Sequence, residues 1–306
     1  MVEKVDKVWM DGELVPWDQA TVHILTHTLH YGLGVFEGIR CYKRADGSSA
    51  VFRLREHIDR LFGSATIAGL ELRWTRGEGI EACLQTVRSN GLDECYIRPL
   101  AFLGDGAMGL HPAGNPVRLA IAVWRWGAYL GDEALKGGVR VRVSSYTRPG
   151  VNCMMTKAKL VGNYVSSILA KTEVTAAGYQ EAIMLDPQGY VAEASGENIF
   201  AVQHGKVVTP PPGASILRGI TRDTVIELCG EVGVPVVERM ISRDELYTAD
   251  EVFFTGTAAE VTPVREIDDR PIGDGGRGPI TKRLQQRYFQ VVRGPENLHP
   301  EWRAQV

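Results

Sequence analysis

Residues 127–138 limit the fold of this 306-residue chain more than any other stretch. They read GAYLGDEALKGG, with four glycines among polar residues. Glycine weakens both helix and strand interiors, so such a run predicts a connection rather than part of a core. The length suits two domains of ordinary size. The sequence therefore predicts a smaller N-terminal domain over residues 1–127, an interdomain loop over 128–138, and a larger domain over 139–306.

The hydrophobic period differs on the two sides of that stretch. Ahead of it, residues 7–10 and 13–15 alternate around Asp11-Gly12, the signature of a tight hairpin. A second hairpin is expected between residues 35–42 and 49–53. Helical spacing covers 54–68 and 77–90, the second ending at Asn90-Gly91, and strands are expected at 95–103 and 117–126. That half reads as an antiparallel-rich α+β domain. Beyond the stretch, a strand at 139–146 leads through a Pro/Gly/Asn loop to a helix at 162–177. Short strands follow at 181–185, 190–192, 198–202 and 206–208, then a helix at 221–232 and strands at 235–239, 251–254 and 260–266. A helix at 279–292 ends the pattern. The fold class is α/β in the broad sense (α+β), without internal repeats.

Composition removes several functions. Hydrophobic residues make up 44% and charged residues 23%, the balance of a globular protein with a buried core. Net charge is -3, with both signs spread along the chain, so no basic face is available for nucleic acid or an anionic membrane. Small-molecule chemistry is the expectation. Cysteines at 41, 83, 95, 153 and 229 are odd in number and lack CxxC spacing, which predicts neither a disulfide framework nor a structural metal. A reducing cytoplasm fits. Residues 1–17 lack the apolar run of a signal peptide, and the longest apolar segments, such as 119–124, are too short to span a bilayer.

Four local features invite a chemical reading. Gly104-Asp105-Gly106-Ala107-Met108-Gly109 has dinucleotide-site spacing after a strand, but Leu110-His111-Pro112 follows, and no long helix can start there. It predicts a loop. His23, His27 and His30 share a helical spacing, yet no local carboxylate or cysteine completes a metal site, and packing explains them better. Residues 217–223, LRGITRD, run from a Pro/Gly-rich loop into an amphipathic helix, so they form either a simple helix cap or a phosphate site. Lys157 and Lys159 stand two apart in MMTKAKL, and local physics does not choose between a solvated edge and a reactive amine.

A run of spaced motifs is more specific than any one of these. HYGLGVFEGIRCY (30–42), FRLREHIDRL (52–61), CYIRPL (95–100), KLVGNY (159–164), VAEASGENIF (191–200), LRGITRD (217–223) and FFTGTAAEVTPV (253–264) follow one another over nearly the whole chain. In that order they resemble the class IV (fold-type IV) aminotransferases, most closely the bacterial branched-chain enzymes. The resemblance implies a two-domain enzyme with a smaller N-terminal α/β domain, a larger mixed-sheet domain and pyridoxal 5'-phosphate as cofactor.

It also implies residue roles. Lys159, five residues before the tyrosine of GNY, matches the lysine that carries the cofactor and shuttles the substrate proton. Glu193 matches the partner of the cofactor's ring nitrogen, and Tyr164 the hydrogen bond to its phenolic oxygen. Arg60, with Leu217, Gly219, Ile220, Thr221, Gly256 and Thr257, matches the cofactor-binding set, chiefly around the phosphate. Tyr31, Phe36, Tyr96, Arg98, Leu110, Trp126 and Tyr129 match the substrate pocket, with Thr257 and Ala258 helping to hold the α-carboxylate. No metal is implied.

The substrates implied are amino acids and 2-oxo acids: leucine, isoleucine or valine, with glutamate and 2-oxoglutarate as the partner pair. A homodimer is implied, or a hexamer made of three dimers. D-amino acid aminotransferases and aminodeoxychorismate lyases share the fold. The D-specific enzymes carry an Arg-x-His pair after the strand corresponding to residues 96–103, where this chain reads GDGAMGLHP. A catalytically inactive binding protein is the remaining alternative.

Overall fold

A computed structural model describes residues 2–127, 130–296 and 298–306. The chain divides into two compact units. The first comprises residues 1–126, 158–162 and 291–306, the second residues 127–157 and 163–290.

The first unit is an antiparallel sheet with helices. Its elements are β1 (Lys7–Met10), β2 (Glu13–Pro16), α1 (His27–Tyr31), β3 (Gly34–Phe36), β4 (Ile39–Lys43), β5 (Ser49–Phe52), α2 (Leu54–Ala68), α3 (Arg76–Ser89), β6 (Cys95–Leu103) and β7 (Val117–Trp124). The strand order is β5-β4-β6-β7-β1-β2, with β3 also on β6 and the terminal strand Arg303–Gln305 on β5. β1 and β2 pair around Asp11-Gly12, as the alternation predicts.

The long strand expected over 35–42 is broken: β3 and β4 are separated by Glu37 and Gly38. Glu37 N bonds Pro99 O, and its side chain turns inward. A Cβ at Gly38 would fall on the Tyr96 hydroxyl, so only glycine lets the chain pass there. Helix α2 supplies Leu54, Ile58, Leu61 and Ala65 to a core that also takes Val35, Ile39, Ile97, Leu119, Ile121 and Val123. The leucine, isoleucine and valine side chains among them each contribute about 1.5–3 kcal/mol on full burial. The same helix buries His57 and Ser64, polar groups whose partners lie in the site described below.

The second unit carries a mixed sheet. It contains α4 (Asp132–Gly137), β8 (Val139–Val143), α5 (Tyr164–Ala176), β9 (Glu181–Leu185), β10 (Val191–Ala194), β11 (Asn198–Gln203), β12 (Lys206–Thr209), α6 (Ile220–Glu231), β13 (Val236–Glu238), α7 (Arg243–Tyr247), β14 (Glu251–Gly256), β15 (Glu260–Ile267), β16 (Arg270–Pro271) and most of α8 (Pro279–Arg293). The strand order is β10-β9-β8-β15-β14-β11-β12-β13. Two of its parallel pairs, β8 with β9 and β12 with β13, are the ones bridged by helices, α5 and α6. Parallel neighbours need such crossovers.

The glycine-rich stretch contains a short helix, α4, where composition predicts only loop. Residues 104–116 form bends and turns and no helix. His23 lies before α1, so the three histidines do not share one helix face. Among the described residues there is no group of three or more potential metal-ligating side chains, and no helix long and apolar enough to cross a membrane.

Candidate active site

In the first unit, the segment carrying Lys159 is fixed by its backbone. Phe36 N bonds Lys159 O at 3.1 Å, Val161 N bonds Gly34 O at 2.9 Å, and Lys159 N bonds the Ser64 hydroxyl of α2 at 3.0 Å. The chain on either side of Lys159 is thus held by β3 and by α2, and its amine stands 5.0 Å from the centre of the Phe36 ring.

Aromatic rings collect beside it. The Arg98 guanidinium lies 4.8 Å from the Phe36 ring, 5.4 Å from Tyr96 and 5.5 Å from Trp124. Tyr96 in turn meets Trp126 edge-on at 4.5 Å. Arg98 Nε is buried and makes no hydrogen bond among the described residues. Its charge is supported by π faces, which leaves hydrogen-bonding capacity for a ligand.

Phe36, Tyr96, Arg98, Trp126 and Lys159 are therefore brought together. Tyr31 packs on His27 and is 45% exposed, and Leu110 is 90% exposed. Tyr129 lies outside the described residues.

Arg60 belongs to a buried ionic cluster that the sequence did not reveal. Its Nε donates to Glu37 Oε1 at 2.7 Å and its Nη2 to Oε2 at 2.9 Å, while His57 Nδ1 lies 2.7 Å from Oε2. Glu37 is fully buried. Burial alone would raise its pKa, but the Arg60 charge and the hydrogen bonds from both neighbours hold the carboxyl well below the usual range. Burial also pushes the His57 imidazole below its ordinary value, against the pull of Glu37. An ionised carboxylate only accepts, so His57 donates to it through Nδ1–H.

The second unit builds its site around Glu193. Its Oε1 is 2.9 Å from Arg148 Nε, and its Oε2 accepts from Asn198 Nδ2 at 3.0 Å and from Leu217 N at 3.1 Å. Both partners of the ion pair are buried. Asn198 also donates to Leu217 O at 2.8 Å and pairs in the ladder with Thr255, the residue before Gly256 and Thr257.

Gly219 stands at the start of α6 with no side-chain cap, and a Cβ there would strike the Asn198 amide oxygen. The first N–H groups of α6, at Ile220 and Thr221, thus open a helix end suited to an anion. Thr255 Oγ1 is buried without a hydrogen-bond partner among the described residues. Leu217 is bonded to Glu193 directly; Gly219, before Ile220 and Thr221, lies against Asn198, and Thr255, before Gly256 and Thr257, pairs with Asn198. Tyr164 is the first residue of α5.

The two lysines now separate. Lys157 Nζ donates to Ala214 O at 2.8 Å and Ile216 O at 2.9 Å, so its amine anchors the loop that ends at Leu217. Burial and the nearby Arg148 and Arg222 charges lower its pKa, while Glu193 opposes them. An ammonium donating to two carbonyls is a poor nucleophile.

These donor sets fit pyridoxal phosphate, the cofactor that the motif order implies. The first unit has an amine on an apolar ring and a guanidinium fixed by a carboxylate. The second has an uncapped helix end and a buried carboxylate, the group that suits a protonated ring nitrogen. Glu37, His57, Arg148 and Asn198 escaped the sequence reading. Glu37, His57 and Asn198 stand inside the quoted motifs without a role assigned to them, and His57 also shares a helix face with Arg60 at a spacing of three; Arg148 lies outside every motif.

A family model described as amino-transferase class IV matches residues 34–267. The branched-chain-amino-acid aminotransferase of Pseudomonas aeruginosa is 53% identical over 306 residues, covering 100% of this chain and 99% of that protein. The enzyme of the same name from Escherichia coli K12 is 48% identical over 305 residues, 99% of this chain and 98% of the relative. Among solved structures, the Escherichia coli branched-chain amino acid aminotransferase superposes with a TM-score of 0.96 at 48% identity, over 99% of both chains. The Thermobaculum terrenum branched-chain amino acid aminotransferase, in its PLP form, gives 0.92 at 35% identity, over 98% of both. In sequence and in fold, this chain belongs to the class IV aminotransferases.

Proposed function

We propose that the chain moves the amino group of L-leucine, L-isoleucine or L-valine to 2-oxoglutarate, reversibly, with pyridoxal 5'-phosphate as cofactor. The observation that carries the substrate choice is the Arg98 cluster, a guanidinium set among Phe36, Tyr96 and Trp124. Full-length identity to enzymes named for branched-chain amino acids supports it.

Bound pyridoxal phosphate supplies a carbonyl that receives the amino group and a ring that accepts the electrons released at the substrate Cα. The protein supplies position and protons. Lys159 Nζ holds the cofactor and then carries the Cα proton. Glu193 keeps the proton on the ring nitrogen, with Arg148, Asn198 and Leu217 N fixing its orientation. Arg60 and the N–H groups of Ile220 and Thr221 take the phosphate, with Thr257. Tyr164 donates to the phenolic oxygen, and Tyr96 with the Thr257 and Ala258 N–H groups holds the α-carboxylate.

Two side chains of opposite character must then be accepted. A pocket of apolar walls alone would reject glutamate, because burying an unpaired carboxylate is costly. Arg98, with Tyr31 and Tyr129 hydroxyls, answers that. Arg98→Met is expected to lower kcat/KM for glutamate about tenfold or more while largely sparing leucine. Equal losses for both substrates would mean that Arg98 supports the fold and does not read the acidic side chain.

Visible spectroscopy tests the overall reaction. The purified holoenzyme should show a band that moves on adding L-leucine and returns on adding 2-oxoglutarate. A band that ignores L-leucine but responds to D-amino acids would overturn the assignment.

The proposal includes a homodimer, by itself or as the unit of a hexamer, in the cytoplasm. Ile24, Leu29 and Leu110 are 71%, 60% and 90% exposed in the single chain, large apolar side chains that a second copy would cover.

A further inference from the structure

We propose that Glu37 is the positioning residue for the phosphate-binding guanidinium of Arg60, with His57 as its support. This rests on the reading of Arg60 given above.

Glu37 occupies the two-residue break between β3 and β4, and its carboxylate is fully committed inside the first unit. It accepts both Nε and Nη2 of Arg60, the two-point geometry that fixes a guanidinium plane. Arg60 cannot rotate about its last bonds without breaking both contacts. The Arg60 side chain is 16% exposed while that of Glu37 is wholly enclosed. The clamp therefore grips the guanidinium through Nε and Nη2 from the enclosed carboxylate, and what exposure the pair has lies with Arg60.

His57 precedes Arg60 by three residues on the same face of α2 and braces the Oε2 that receives Nη2. His57 Nδ1–H and the two Arg60 N–H groups together occupy both carboxylate oxygens, so each of the three side chains is held by the others. Such a set is ordered before the ligand arrives, and preorganisation of this kind raises affinity by sparing the ordering cost at binding.

The clamp also joins two anchors. Glu37 follows Phe36, whose N–H bonds Lys159 O, so one strand end fixes the backbone of the lysine and the side chain of the arginine. The phosphate end and the carbonyl end of the cofactor would thus be referred to the same two residues, Phe36 and Glu37.

The test compares pyridoxal phosphate with pyridoxal, which lacks the phosphate. Both are titrated into the full-length chain after reversible removal of its cofactor, followed by the visible band. Glu37→Gln should weaken pyridoxal phosphate about tenfold, the scale of one charge-assisted contact. It should leave the affinity for pyridoxal within about twofold. In the Arg60→Met background, Glu37→Gln should add no further loss.

Equal weakening of both ligands, or losses that multiply in the double variant, would make Glu37 a structural ion-pair partner only and overturn the proposal. Should Glu37→Gln not fold, His57→Asn serves instead. It is expected to weaken pyridoxal phosphate about threefold and pyridoxal not at all, and no change in either ligand overturns the proposal. Arg60→Met that binds pyridoxal phosphate normally would instead bring down the reading of Arg60 itself, an outcome distinct from the others.

Discussion

Lys159→Ala is expected to fold and to lose turnover by about four orders of magnitude or more, since it removes both the covalent hold on the cofactor and the proton carrier. The fold should survive because the structural contacts described for Lys159 are made by its backbone: its N to the Ser64 hydroxyl and its O to Phe36 N. The described side-chain contact, 5.0 Å from the Phe36 ring, is of a kind that contributes about 0.5–2 kcal/mol. Melting should therefore shift by only a few degrees.

Borohydride reduction of the wild-type holoenzyme followed by peptide mapping should place the pyridoxyl label on Lys159. A label on Lys157 would refute the assignment. Lys157→Met offers a second check. It frees the loop ending at Leu217, so it should loosen cofactor binding while the label stays on Lys159.

The two lysines show what a sequence can and cannot convey. In MMTKAKL they are equivalent by local chemistry, and only the spacing to Tyr164, read through the motif resemblance, selects Lys159. The structure adds the reason that Lys157 is unsuited: its amine is already bonded to two loop carbonyls more than fifty residues away in sequence. Contacts of that range leave no trace in a local window.

The same limit applies to Glu37, Arg148 and Asn198. Each acts through another side chain, Arg60 or Glu193; Glu37 and Asn198 fall within the motifs, but the motifs do not say which side chain each would meet, and Arg148 lies outside them. Arg148 and Glu193 are forty-five positions apart, and only the folding of unit two brings them to 2.9 Å.

Elements are legible where periodicity is long. The sequence predicts a helix over 54–68 and α2 is Leu54–Ala68; it predicts a strand over 95–103 and β6 is Cys95–Leu103. Both carry enough apolar positions for the period to be unambiguous. Failures cluster in short elements. Helix α1 has five residues, too few to establish a period, and α4 lies within the glycine-rich stretch, where composition argues against it. The strand expected over 35–42 is interrupted because tertiary contacts of Glu37 outweigh the strand propensity of its neighbours. The Arg303–Gln305 strand forms by pairing with β5, a long-range event without alternation to announce it.

Glu193→Gln should keep cofactor but lower kcat about a hundredfold or more, the scale of removing one preorganised electrostatic group. An amide is nearly isosteric and retains an oxygen for Asn198 Nδ2 and Leu217 N, so the shape of the site survives. What it lacks is the negative charge that holds a proton on the ring nitrogen, and without that proton the ring is a weaker electron acceptor.

The surroundings make the effect worse. Arg148 lies 2.9 Å from Glu193 and is buried, so removing the carboxylate leaves an uncompensated cation beside the ring, which further disfavours its protonation. The same loss destabilises the fold, since breaking one side of a buried pair costs about 3–5 kcal/mol, a figure softened here by the amide's hydrogen bonds. Glu193→Gln is thus expected to lower both kcat and the melting temperature.

Replacing Arg148 as well separates the two effects. Arg148→Met in the Glu193→Gln background removes the stranded charge and should recover melting temperature without recovering wild-type kcat. Turnover near wild type in Glu193→Gln would show that Glu193 is not the partner of the ring nitrogen. Joint recovery of stability and turnover in the double variant would show that the defect was the buried charge and not the lost proton.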